Sequence, residues 1–168
     1  MNVRLSPWKK EHVHDLIKAA DNLSVWNTVR DIFPHPYTID DAEEWIAFNE
    51  VAFPITNFAI EVDNVVAGSI GITLKRDVER KNAELGYWLG EAFWGKGIAT
   101  DAVRQFIPYV FSTFDIIRIY AKVYSNNPAS MRVLAKNQFH QESIHPKAII
   151  KNNQLLDLHV WAKRREGF

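Results

Sequence analysis

A glycine-containing turn in front of a predicted helix is the part of this sequence best suited to chemistry. The turn is Trp94-Gly95-Lys96-Gly97-Ile98-Ala99-Thr100, and the helix is predicted from about Ala99 to Phe114. Glycine lets a backbone approach a ligand closely, and a helix start offers free N–H groups with a partial positive charge. Lys96 and the Thr100 hydroxyl would add charge and hydrogen bonds. The pattern indicates a phosphate or pyrophosphate site, although a turn that merely connects two elements explains the glycines equally well.

Two familiar phosphate motifs are excluded by the spacing of this turn. A P-loop requires G-x-x-x-x-G-K-S/T, and a dinucleotide fingerprint requires G-x-G-x-x-G. The run from Gly95 to Thr100 reads G-K-G-I-A-T, with threonine where the fingerprint places its third glycine and Asp101 directly after it.

Composition excludes several function classes. The chain has 168 residues, a formal net charge of zero and no cysteine, so a cysteine nucleophile, a disulfide and a thiolate metal site are excluded within it. No stretch approaches the ~20 apolar residues of a membrane span, the first residues lack a signal-peptide pattern, and no histidine pair has metal spacing. We expect a cytoplasmic protein without metal, nucleic-acid or membrane partners.

The predicted elements form one α+β domain over residues 1–168. Helices are expected from Lys9 to Ala20, as a short turn at 24–29, from Thr38 to Glu50 and over 129–137. Strands are expected at 3–5, 57–62, 65–74, 82–89, 116–124, 139–144 and 155–163, with a basic polar loop around 147–153. This order predicts a mixed, mostly antiparallel sheet of six or seven strands flanked by helices.

The run ELGYWLGEAFWGKGIATDA, Glu84 to Ala102, resembles the coenzyme A-binding motif of the GNAT acetyltransferases. Gly97 and Ala99 match the last fixed positions of the pattern Q/R-x-x-G-x-G/A. Trp94 occupies the first position, as is common in the RimJ/RimL-like branch, the ribosomal-protein alanine acetyltransferases. This central motif is the most specific part of the resemblance.

Flanking segments extend the resemblance over nearly the whole chain. Asn127 to Leu134 is similar to the branch's N-x-x-S-x-x-V-L segment, and Phe33 to Ile46 is similar to its P-Y-T…DA…W-I stretch. Asp157 and the run from Trp161 to Arg164 resemble its last strand. Gln138 stands where the family usually has glycine, so we expect that turn to differ in detail.

The resemblance implies a GNAT fold, with a central sheet splayed between strands 4 and 5, and acetyl-CoA as co-substrate. The pantetheine arm would bond to the main chain of Tyr87 and Leu89, and the Tyr87 N–H would face the thioester oxygen. Asn127 would bond the arm, although an N-cap to its helix is the safer role. The pyrophosphate would lie on the loop formed by Gly95, Lys96, Gly97, Ile98, Ala99 and Thr100.

The family's chemistry is direct attack of an amine on the thioester, which agrees with the absence of cysteine. Glu84 is the candidate general base, and we expect an apolar groove to raise its pKa. A salt bridge at the rim is an equally good interpretation of Glu84, and a water chain could replace it as the base. Ser130 is the candidate proton donor to the leaving thiolate, although an ordinary place in a first helical turn fits slightly better.

The acceptor side is less defined by the sequence. His35, Tyr37 and Trp26 are candidates to line the acceptor pocket, although core packing is the default role of the aromatic residues. The acceptor would be a primary amine, at a protein N-terminus or on a small molecule. A non-catalytic acyl-CoA-binding module and a transferase of longer acyl groups are the alternatives. The sequence is also compatible with a homodimer.

Overall fold

The computed structural model describes residues 1–168, and its centre is a seven-stranded sheet in the order β1-β2-β3-β4-β5-β7-β6. Adjacent strands are antiparallel except β4 and β5. The strands are β1 Val3–Ser6, β2 Asn57–Val62, β3 Val65–Leu74, β4 Asn82–Leu89, β5 Arg118–Tyr124, β6 His140–Lys151 and β7 Gln154–Arg164. The predicted fold class is confirmed.

Five α-helices flank the sheet: α1 Val13–Ala20, α2 Leu23–Trp26, α3 Ile39–Glu50, α4 Ile98–Thr113 and α5 Pro128–Lys136. Thr38 caps α3 as predicted, because its side chain accepts a hydrogen bond from the Asp41 N–H while Asp41 bonds back to the Thr38 N–H. None of the helices is both long and apolar enough to span a membrane.

The sheet opens at its only parallel pair of strands. β4 and β5 pair over three residues, from Asn82↔Arg118 to Glu84↔Tyr120, and then separate. β4 continues to Leu89 with β3 on one side and no strand on the other. The predicted splay between strands 4 and 5 is therefore present, and it leaves main-chain groups along this edge of β4 without a strand partner.

Each face of the sheet carries its own apolar core. On the first face, which we call the α4 face, Leu85 of β4 and Phe106 of α4 belong to a cluster of 20 buried residues. On the second, which we call the α1 face, Leu16 and Ile46 belong to a smaller cluster against which Trp88 packs. Side chains alternate along a strand. Tyr87 therefore points to the α4 face, whereas Glu84 and Trp88 point to the α1 face.

The loop predicted around residues 147–153 is wrong, because most of it is strand. β6 runs to Lys151 and turns into β7 through Asn152 and Asn153, whose φ values are 47° and 60°. Two consecutive left-handed residues form the turn that best matches the twist of a hairpin, and asparagine tolerates that conformation. An irregular register between His145 and Ile149, with φ of 50° at Lys147, accommodates the polar segment within β6.

Candidate active site

The turn before α4 has the backbone that its glycines predict. Gly95 and Gly97 have φ values of 72° and 78°, in the left-handed region that glycine favours. Gly97 is the N-cap of α4. The Trp94 indole Nε1 donates to the Leu89 carbonyl at 2.8 Å, which ties the turn to the end of β4. The free N–H groups of the first turn of α4 therefore lie beside the open edge of β4.

One cleft of about 500 Å³ lies between this turn, the end of β4 and the start of α5. It brings together all the residues proposed for the cofactor and the candidate donor: Tyr87, Leu89, Gly95, Lys96, Gly97, Ile98, Ala99, Thr100, Asn127 and Ser130. Further lining residues that the sequence did not single out include Thr28, Trp88, Phe93, Asn126, Arg132 and Lys136. Glu84 does not line the cleft.

The charged residues of this cleft are all cationic. Lys96, Arg132 and Lys136 line it, and none of its 20 lining residues is a carboxylate. The chain as a whole is neutral, so this is a local concentration of positive charge. The Lys96 ammonium donates to the Ala92 carbonyl at 2.8 Å, and both Arg132 and Lys136 are exposed. Together with the start of α4, these charges favour an anionic ligand.

Ser130 lies in the cleft in contact with the Tyr87 phenol. The Tyr87 Oη is 2.7 Å from the Ser130 Oγ and 3.1 Å from the Ser130 carbonyl oxygen. Burial raises the pKa of the Tyr87 phenol, and the hydrogen bond with Ser130 only partly offsets this. The phenol therefore stays protonated near neutral pH. Asn127 is the N-cap of α5, because its Oδ1 accepts from the Ser130 N–H at 3.2 Å.

Glu84 lies on the α1 face as one partner of a salt bridge. Its Oε2 is 2.9 Å from the Lys75 ammonium, 3.1 Å from the Tyr120 hydroxyl and 3.9 Å from the Lys122 ammonium. The expected rise in its pKa is wrong. Burial alone would raise the pKa of Glu84, but the hydrogen bond from Lys75 and the charges of Lys122 and Lys75 together lower it. Every one of these contacts is made by Oε2, and Oε1 accepts no hydrogen bond from the protein.

Trp26 is held by a residue from the far end of the chain. The Lys151 ammonium lies 3.5 Å from the centroid of the Trp26 ring and 2.8 Å from an Asp31 carboxylate oxygen. The Lys151 side chain is 3% exposed, so one face of Trp26 is covered by a buried cation. The β6–β7 hairpin is thereby fastened to the segment between α2 and α3.

The other two acceptor candidates have different surroundings. The His35 ring is 6.0 Å from the Trp26 ring and its side chain is about one-third exposed, at 32%. Tyr37 is 7% exposed and packs against Phe33 in the core of the α1 face. Burial, and to a lesser extent the charge of Asp41, raises the pKa of Tyr37 to about 12. Tyr37 therefore has the packing role that is the default for an aromatic residue, and its place in the acceptor pocket stays a prediction.

The structure is that of an α+β protein with a cationic cleft beside a splayed pair of parallel strands. Residues 2–140 match the model of the acetyltransferase (GNAT) domain. The chain therefore belongs to the GNAT acetyltransferase domain family, as the motif at Glu84 to Ala102 predicted.

Individual relatives agree with this assignment. The Bacillus licheniformis protein named "Uncharacterized N-acetyltransferase p20" is 34% identical over 102 residues, 61% of this chain and 56% of that protein. The Escherichia coli ribosomal-protein-serine acetyltransferase is 31% identical over 83 residues, 49% of this chain and 46% of that protein. These matches span about half the length of each relative.

A solved structure shows the same fold along nearly the whole chain. Mycobacterium smegmatis RimJ, in complex with a coenzyme A disulfide, superposes with a TM-score of 0.84 and 21% identity, covering 98% of this chain and 82% of that one. No group of three or more histidine, aspartate or glutamate side chains is arranged to hold a metal ion in the present structure.

Proposed function

We propose that this protein transfers an acetyl group from acetyl-CoA to a primary amine by direct attack, within the RimJ/RimL-like branch of its family. The observation that carries the proposal is the cleft at the start of α4. It combines free helix N–H groups and three cationic side chains, without a carboxylate, next to the unpaired edge of β4. A long anionic cofactor with a peptide-like arm fits both features.

The diphosphate end of acetyl-CoA would lie on the turn from Gly95 to Thr100. Left-handed glycines direct successive N–H groups into one concavity, and a side chain at Gly97 would project toward open space. The side chains of Arg132 and Lys136 make no hydrogen bond to the protein, so both cations are available to the phosphates. Lys96 can join them if it leaves the Ala92 carbonyl.

The arm would follow the edge of β4 that faces the splay. Main-chain groups of Tyr87 and Leu89 would bond it, and the Tyr87 N–H would stabilise the negative charge on the carbonyl oxygen during attack. Asn127 already accepts the Ser130 N–H as an N-cap. Its amide nitrogen would provide the bond to the arm.

The departing thiolate needs a proton, and Ser130 is our proposed donor. Its Oγ lies 2.7 Å from the Tyr87 Oη, and this phenol is protonated near neutral pH because burial raises its pKa. Tyr87 would hold the serine hydroxyl in place, and the serine would regain its proton from solvent after the thiol leaves. In the balanced reaction the amine nitrogen bonds to the acyl carbon, the carbon–sulfur bond breaks, and the thiol leaves protonated.

The amine must lose a proton, and Glu84 is our proposed base. Its carboxylate is ionised at neutral pH, and the unoccupied Oε1 can accept a proton directly or through water. Its lowered pKa makes it a weak base, so an ordered water chain is the alternative route. His35, beside Trp26, is the next residue to test.

A thiol-release screen tests this function. Acetyl-CoA is offered with short peptides beginning with Ser, Ala or Met, with spermidine and with lysine, and the product is identified by the mass of one added acetyl group. We expect thiol release that depends on one of these amines. Binding of acetyl-CoA without release for any amine would contradict catalysis and favour a non-catalytic acyl-CoA-binding module. Preference for succinyl-CoA would favour transfer of a longer acyl group.

A further inference from the structure

Two of the strand glycines are required by packing. A Cβ at Gly68 would lie 2.0 Å from the Trp88 carbonyl oxygen. A Cβ at Gly71 would lie 1.8 Å from the Asn57 Oδ1 and 2.9 Å from the Thr56 carbonyl oxygen. Both approaches are closer than any side chain tolerates, so the fold itself explains these two glycines.

No clash of this kind explains the glycine at Gly86, in the middle of β4. A Cβ there would have no atom within 4 Å, its backbone is outside the left-handed region, and the residue is exposed. Glycine inside a strand weakens the strand, because it orders a flexible backbone without adding a side chain to the packing. Such a glycine is typical of a bulge, a tight bend or a place where a ligand approaches the backbone, and the register of β3 with β4 continues without a shift across Gly86, which excludes a bulge.

Gly86 lies beside the opening of the sheet. Pairing between β4 and β5 ends at Glu84, two residues before it, so Gly86 is where the sheet opens. Alternation places its missing side chain on the α1 face with Glu84, while the next residue, Tyr87, points into the cleft on the α4 face. Gly86 therefore lies between the proposed base and the proposed donor, where the gap between β4 and β5 connects the two faces of the sheet.

We propose that Gly86 determines which acceptors react, because its bare backbone leaves room for the substituted carbon next to the attacking nitrogen. The inference rests on the proposed function and concerns the bulk of the acceptor next to its amine, which is larger at a peptide N-terminus than in a small nucleophile. A nucleophile without such a carbon has no need of this space.

Gly86→Ala and Gly86→Val test this assignment with short peptides beginning with Ser, Ala or Met, and with hydroxylamine as the small nucleophile. Gly86→Val should lower kcat/KM for the peptides at least ~10-fold, since small misplacements of reacting atoms are costly. Gly86→Ala should lower it less, and hydroxylamine should react much as in the wild type. Neither variant should raise the dissociation constant of acetyl-CoA or lower the melting temperature.

Gly71→Ala is the matched control, because its side chain would clash and should lower the melting temperature. If the wild type acetylates peptides and both Gly86 variants keep the wild-type ratio of peptide to hydroxylamine reactivity, the inference is wrong and the proposed function stands. A wild type that acetylates hydroxylamine and none of the peptides would also overturn the inference. A wild type that transfers acetyl to no nucleophile overturns the function and the inference together. If Gly86→Val does not fold, Gly86→Ala decides.

Discussion

The two faces of β4 are built in different ways. On the α4 face, the cleft comes from two short runs of sequence, residues 87–100 and 126–136, with Thr28 as the single distant contributor. On the α1 face, the side chains around Glu84 and Trp26 come from segments far apart in sequence. Lys151 and Asp31, for example, are 120 positions apart. A ligand site that follows one strand–turn–helix unit can be recognised locally, whereas a site assembled by long-range contacts depends on the whole fold.

Among the changes that separate the two faces, replacing the proposed base on the α1 face should have the largest effect on activity. Glu84→Gln should lower kcat by ~100-fold or more, the usual scale for a general base, with an unchanged acetyl-CoA dissociation constant because Glu84 faces away from the cleft. Because the pKa of Glu84 is lowered from its ordinary value of 4.5, its carboxylate should stay ionised, and protonation of Glu84 should not reduce wild-type activity until the pH falls below 4.5. Steady-state kinetics over pH measure both effects.

Glu142→Gln is the matched control, since Glu142 pairs with Arg118 and Arg164 and shares none of the hydrogen-bond partners of Glu84. It should keep normal turnover. A Glu84→Gln enzyme with near-normal kcat on a good acceptor would remove Glu84 from the mechanism and direct attention to an ordered water or His35.

A side chain at Gly97 should damage the α4 face alone. Gly97→Val should weaken acetyl-CoA binding at least ~10-fold, or ~1.4 kcal/mol, measured by calorimetric titration. Gly97→Ala is also strained at φ of 78°, but its side chain is smaller and not β-branched, so it should weaken binding less than Gly97→Val. Normal affinity in a folded Gly97→Val protein would count against the turn as the diphosphate site.

Loosening the hairpin should affect the α1 face alone. Lys151→Met removes the buried cation over Trp26 and its pairing with Asp31, and should lower the free energy of unfolding by about 1 kcal/mol. Lys151→Arg keeps a cation and should lose less. Chemical denaturation measures the difference, and acetyl-CoA affinity should be the same in both variants. Weaker cofactor binding in Lys151→Met would show that the two faces are coupled.

The smallest expected effect concerns the pH dependence of stability. The pKa of Glu84 in the folded protein is below its ordinary value of 4.5, so its ionised form stabilises the fold above that pH and the contribution is lost as the pH falls through the lowered pKa. Lys75→Met removes its strongest hydrogen bond and should cost up to ~1 kcal/mol at pH 7. Denaturation of both proteins at neutral and acidic pH should show the gap closing in acid. A gap that persists unchanged in acid would assign the loss to packing.

These contrasts explain what the sequence could predict. The conformation of Gly95 and Gly97, the cap at Thr38 and the splay after Glu84 follow from local patterns or from the family motif. The rise expected for the pKa of Glu84 is wrong because Lys75, directly after β3, and Lys122, on β5, lie beside its carboxylate, and no local pattern reveals this register. The burial of Tyr37 depends on the packing of α1 and α3, which no local pattern reveals. Asn152 and Asn153 are a local signal for the hairpin turn, but the polar residues around them predict a loop.

Everything proposed for the α4 face depends on acetyl-CoA binding in the cleft at the start of α4. Thermal unfolding with acetyl-CoA, ATP and NAD at equal concentrations tests it directly, because a ligand that binds only the folded state raises the melting temperature by mass action. We expect the largest rise in melting temperature with acetyl-CoA, because its arm adds contacts along β4 that the other two ligands lack. A larger rise with ATP or NAD than with acetyl-CoA would contradict it.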